Sequence, residues 1–166
     1  MASDLKLSNP LKVKIVETIQ DRRTIKAKTI TELKEQFGLG DVSDTQFRRA
    51  LSSLHFSDGL VHVARLHDRL STPRSYTVSC VDLALWVKKH GRISFEIFKP
   101  DGVPGYKSTI AREMGLNDSH IARLLAEYDW LKDHAAFRVK SEPLRELSVD
   151  REVRPAWYRI TITPRQ

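Results

Sequence analysis

The sequence predicts an α+β, mostly helical fold in which a unit of three helices and a β-hairpin occurs twice along 166 residues. Three observations carry this. First, Phe47, Ala50, Leu51 and Leu54 in SDTQFRRALSSL (residues 43–54) fall at i, i+3, i+4 and i+7. Ile121, Leu124, Leu125 and Tyr128 in NDSHIARLLAEY (117–128) repeat that spacing, so each stretch is an amphipathic helix with one stripe facing a core. Second, each is preceded by the same shorter pattern. Leu33, Phe37 and Leu39 stand at i, i+4, i+6 with Gly38 before the last, and Ile110, Met114 and Leu116 do the same around Gly115. Third, each is followed by two runs of alternating apolar residues, as in the arms of a hairpin.

The offset between the copies is 77 residues at the shorter helix and 74 at the longer one, so the turn between the helices is three residues shorter in the second copy. A diverged duplication leaves such a difference. Two domains of roughly 80 residues follow, 1–79 and 80–166, each with a thin but sufficient core.

In chain order, Ser8 or Asn9 caps a first helix with Pro10 at its first position, and Leu11, Ile15, Val16 and Ile19 make its stripe to about Asp21. Residues 23–28 alternate as a small edge strand. Thr29 and Glu32 fit a capping box opening the helix TELKEQF, which ends at Gly38 as a C-cap and returns Leu39 to the core. Ser43 caps the next helix. The chain then turns at Ser57, Asp58 and Gly59; Leu60, Val61 and Val63 run out, the basic loop ARLHDRLSTPRS turns back, and Tyr76 and Val78 return.

In the second copy, Asp82–Lys89 is a short helix whose Leu83, Leu85, Trp86 and Val87 need cover on more than one side, which suits an element tying the two halves together. ISFEIF (93–98) alternates as a strand does, although its apolar positions also suit a buried helix. KPDGVPG is an exposed loop, and Ser108 caps TIAREMGL. After Tyr128, Trp130 and Leu131 close the core. Phe137 and Val139 go out, and Trp157, Tyr158, Ile160 and Ile162 come back. Between them 140–155 is a long charged excursion, either a plain loop or one with a helical turn at PLRELS.

Charge narrows the partner. The chain carries 28 Lys plus Arg against 21 Asp plus Glu, a net charge of +7, and both halves are basic. Such an excess suits a polyanion through phosphate neutralisation and counterion release. No apolar run approaches the 18 or more residues of a membrane span, and MASDLKLSNPLK lacks the apolar core of a secretory signal, so a cytoplasmic, nucleoid-associated location is expected. Cys80 stands alone, and the six histidines show no paired ligand spacing, so neither a disulfide, a metal nor another cofactor is expected.

The order helix, small strand, helix, turn, helix, hairpin resembles a winged helix-turn-helix. TIAREMGLNDSHIARLLAEYDWL, with its Ile-Ala pair, Gly-Leu and Ile-x-x-Leu-Leu, is similar to the helix-turn-helix of many transcription regulators. The whole chain thus resembles tandem winged-helix proteins of bacterial and phage type. The first copy departs by placing Lys34 where Ala111 sits, which argues against a tight helix crossing there.

The resemblance implies double-stranded DNA as partner, with the second helix of each motif in a major groove and each hairpin on the adjacent backbone. Carried over residue by residue, it assigns Thr45, Gln46, Arg48 and Arg49, then Asn117, Ser119, His120 and Arg123, to the groove. Gln46 and Asn117 suit adenine; the arginines suit guanine or phosphate. Tyr106, Lys107 and Ser108 suit a phosphate clamp, and the hairpin residues are Arg65, Arg69 and Arg74, then Arg138, Lys140 and Arg154. The function implied is a sequence-specific regulator of transcription, or a replication or partition factor, from a bacterium, plasmid or phage, acting as a monomer or weak homodimer. The alternative is a winged-helix protein-binding module serving as scaffold or inhibitor of a host complex, with Trp86, Trp130 and Trp157 available for a contact patch. An enzyme is not expected: GLGDVS lacks the strand and third glycine of a dinucleotide loop, and Asp41, Asp44, Asp58, Asp129 and Asp133 read as caps and solvated faces.

Overall fold

The computed structural model describes residues 7, 9–67, 73–98, 107–144 and 157–165, with the backbone alone at 65–67 and 73–74. They form two compact units, 1–81 and 82–166. The molecule mixes helices with two small antiparallel sheets.

The first unit begins with helix α1 (Pro10–Arg22), where the Asn9 side chain accepts the Leu11 N–H at 2.9 Å. Ile15, Val16 and Ile19 are fully buried along it. Strand β1 (Thr24–Ala27) leads to helix α2 (Ile30–Gln36). The Thr29 hydroxyl accepts the Glu32 N–H at 3.1 Å, while the Glu32 carboxylate takes the N–H of Lys28 rather than that of Thr29, so the box closes one residue early. At the other end Gly38 has φ of +70°, and Leu39 N–H returns to Lys34 C=O at 2.8 Å, a Schellman stop that a Cβ would strain.

Helix α3 (Asp44–Ser52) is capped by Ser43, whose hydroxyl accepts the Gln46 N–H. It packs on α1 and α2, with the rings of Phe37 and Phe47 5.8 Å apart. A π-helical turn, Ser53–Asp58, follows where a simple turn is expected. Phe56, which lies off the buried stripe, sits on this turn 71% exposed. Strands β2 (Val61–His67) and β3 (Pro73–Cys80) form the hairpin, and the sheet order is β1-β3-β2. The ladder runs on to His67 and Pro73 through residues expected as loop, because backbone pairing does not depend on apolar side chains. Cys80 donates to Arg23 C=O and Val81 to Leu60 C=O, so both residues belong to the first unit rather than opening the second.

The second unit follows the same order with one strand added: helix α4 (Asp82–His90), strand β4 (Ile93–Phe98), the additional two-residue strand β5 (Lys107–Ser108), helix α5 (Ile110–Glu113), helix α6 (Ile121–Leu131), and strands β6 (Phe137–Pro143) and β7 (Trp157–Pro164). The sheet order is β5-β4-β7-β6, so in each unit the strand after the first helix pairs with the last strand. Phe95, Ile160 and Ile162 face inward; Ser94, Glu96, Arg159 and Thr161 occupy the other face. Phe95 meets Tyr128 edge-on at 5.7 Å. Helix α4 buries Leu83, Ala84, Leu85 and Val87, and within the unit it packs on α6, β4 and β7. Gly115, at φ of +71°, ends α5 by the same Schellman geometry, with Leu116 N–H on Ala111 C=O at 2.8 Å.

Several local expectations are corrected here. Residues 93–98 are the strand that their alternation predicts, the inward residues at every second position completing a sheet face, and the helical alternative falls away. α5 is one turn long, since Ser108 is taken into β5. A 3-10 turn, Asp118–His120, begins the last helix, and Trp130 is half-buried rather than a closure of the core. Of the excursion expected at 140–155, residues 140–143 instead continue β6 in register with β7, because the backbone ladder runs on through charged residues; 145–155, the loop 99–105 and the tip 68–72 lie outside the described residues.

Candidate functional site

Lys34 explains how α3 is presented. Its side chain is buried, yet its ammonium donates to Val42 C=O at 2.8 Å and meets the Asp44 carboxylate at 2.7 Å. A long stem with a charged tip thus reaches across the turn between Leu39 and Phe47 and pins the start of α3, where the second copy has the fully buried Ala111. Held this way, α3 turns Thr45, Gln46, Arg48 and Arg49 to solvent. Neither arginine has a hydrogen bond or ion pair among the described residues.

Two hollows flank that helix. Towards α1 one is lined by Gln46, Arg49 and Ser53 together with Asn9 to Lys12. Towards the hairpin a second, of about 420 Å³, has Arg48 and Phe56 among its lining residues, over Ile30, Leu51, Val63 and Tyr76. The helix is therefore a ridge with one arginine on each flank.

No family model, curated protein or solved structure matches the chain.

The second copy is built differently at the matching place. Asn117 spends its side-chain oxygen on the N–H and hydroxyl of Ser119, capping the 3-10 turn. Arg123, its side chain 37% exposed, is taken up by ion pairs rather than left unpaired. Its guanidinium donates to Asp82 at 2.5 Å and Glu127 at 2.9 Å, and lies 2.9 Å from His120 Nδ1. Glu127 uses its other oxygen to accept the Leu83 N–H at 2.8 Å, so the cluster also satisfies the N-terminus of α4. Burial pushes the Glu127 carboxyl up to about 7; Leu83 N–H pulls the other way, Asp82 adds to the rise, and Arg123 opposes it. The spacing that places Arg123 on the outward side of a stripe contains no information about Asp82, 41 residues away.

Ser108 is also committed. Its hydroxyl donates to Glu96 C=O at 2.6 Å and accepts from Ile110 N–H, which ties β5 to β4 instead of leaving a clamp free. Lys107 is exposed, with its ammonium 5.8 Å from the Phe98 ring centroid. On β6, Arg138 and Lys140 share the outward face; Lys140 pairs with Glu142 at 2.9 Å and holds that carboxyl below its ordinary value. Arg69, Tyr106 and Arg154 lie outside the described residues, and Arg65 and Arg74 are described by backbone only.

Phe56 is the residue that pattern reading passes over. It lies off the 47-50-51-54 stripe, and that position is the signal in the sequence of its exposure. Among the described residues no group of three His, Cys, Asp or Glu side chains converges as a metal site, and no helix is long and apolar enough to cross a membrane.

Proposed function

We propose that the chain is a double-stranded DNA-binding protein built of two winged helix-turn-helix units, acting as a sequence-specific regulator. The repeated order of helices and strands supports the fold reading, since in both units the hairpin strands join the strand after the first helix. The observation that carries the function is α3: a ridge whose exposed Gln46, Arg48 and Arg49 meet no carboxylate among the described residues of a basic chain. An arginine without a counterion is available to exchange condensed cations for phosphate contacts, and Gln46 near the start of the helix suits an adenine edge.

The division of labour is unequal. The first unit reads the groove through Thr45, Gln46, Arg48 and Arg49. In the second, Arg123 is neutralised by Asp82 and Glu127 and Lys140 is paired with Glu142, and Lys107 and Arg138 supply backbone contacts that position without specifying. Selection of bound fragments from random duplex DNA tests this: a shared motif, lost in R48A/R49A, is the expected outcome. Enrichment of no motif, with no salt-dependent binding to any duplex, would leave the protein-binding alternative.

A further inference from the structure

The hollow between α3 and the hairpin is not required by any step of duplex recognition. Ile30, Leu51, Val63 and Tyr76, from four different elements, supply apolar lining, and Ser52, His55, Arg48 and Phe56 complete it. The volume, about 420 Å³, falls in the range of small-ligand pockets, which run from about 300 to 1,000 Å³. Two features select the ligand. Arg48 brings an exposed guanidinium without a counterion among the described residues, which a carboxylate satisfies in bidentate fashion. Phe56, 71% exposed and set edge-on to His55 with ring centroids 4.5 Å apart, offers an apolar ring face that a ligand body covers with a gain in buried surface. Lining drawn from α2, α3, the π-helical turn and two strands gathers these groups around one hollow of small-molecule size.

We propose that this hollow binds a small organic acid with an aromatic or branched apolar body, the body seated on Leu51 and Val63 beneath Phe56 and the carboxylate held by Arg48. Resting on the DNA reading above, the consequence is regulatory. The guanidinium that holds the acid is one of the two that flank α3, so acid and duplex compete for Arg48 and the ligand releases DNA.

The test uses the full chain and 4-phenylbutyrate as probe, with 4-phenylbutanamide as the neutral isostere, followed by amide chemical shifts. The expected result is saturable shifts at Arg48, Leu51, Phe56 and Val63 with the acid. R48Q weakens the acid by about tenfold, the worth of one charged hydrogen-bonded pair, and leaves the amide within about twofold. F56A weakens both. Equal binding of acid and amide, or no shift at these residues with the acid at millimolar concentration, overturns the site. Tighter binding of acetyl-Glu-Phe-Glu-amide than of the acid overturns the small-molecule assignment in favour of a protein segment. Duplex affinity is then measured with and without the acid. Acid binding without any duplex binding defeats the DNA reading and leaves the pocket standing, duplex binding without acid binding defeats the pocket alone, and acid binding with unchanged duplex affinity defeats the coupling.

Discussion

The ammonium of Lys34, enclosed between α2 and the start of α3, lies 2.7 Å from the carboxylate of Asp44 and 2.8 Å from the carbonyl of Val42. Removing it leaves Val42 C=O without its donor and Asp44 without its cation. K34M, which keeps the buried stem, is expected to cost the first unit about 1–2 kcal/mol, and K34A about 1 kcal/mol more through the cavity. Urea denaturation of the two variants measures this, and a neutral K34M would show that the bridge contributes nothing to holding α3.

The arginines of the two long helices have opposite fates, and mutation separates them. R123A strands Asp82 and Glu127 and is expected to destabilise the second unit by about 1–3 kcal/mol, while shifting the duplex-binding salt slope by less than about half a unit. R48A and R49A each leave stability within about 0.5 kcal/mol and each lower that slope by about 1. Thermal melts paired with fluorescence-anisotropy titrations at several salt concentrations give both readouts.

Glu127 makes the stability of the second unit depend on pH. Its folded carboxyl titrates at about 7, above the ordinary value of 4.5. Between those values the folded chain holds a proton that the unfolded chain has released, so this group's stabilisation is complete below about 4.5 and is lost as pH rises towards 7. The slope approaches about 1.4 kcal/mol per pH unit. E127Q keeps an acceptor for Leu83 N–H and removes the titration, so denaturation midpoints of the wild type and E127Q from pH 5 to 8 are expected to diverge. Parallel curves would place the proton elsewhere.

Gly38 and Gly115 occupy the same left-handed position at the end of the same helix in each unit. A Cβ at Gly115 meets nothing within 4 Å, and one at Gly38 meets only the flexible end of Lys14 at 3.6 Å. The cost of alanine is therefore backbone strain alone, about 1–2 kcal/mol at each site. Unequal losses in G38A and G115A, read by hydrogen exchange in each unit, would show that the two stops are not equivalent.

Much of this architecture is local chemistry and can be read from the chain. Asn9 before Pro10, Thr29 before Glu32, Ser43 before Gln46, and glycine one residue ahead of Leu39 and Leu116 each set a helix end within a few residues, and the 3.6-residue stripes set which faces are buried. What lay outside that reach is decided by partners distant in sequence. Whether the Arg123 charge is paired depends on Asp82; whether Ser108 is a free donor depends on Glu96; how far the first hairpin runs depends on a backbone ladder indifferent to side-chain polarity. The ridge formed by α3 and the hollow beside Phe56 belong to this second kind. Periodicity states which side of a helix is apolar, but only packing between elements decides which charges meet and where a cavity remains.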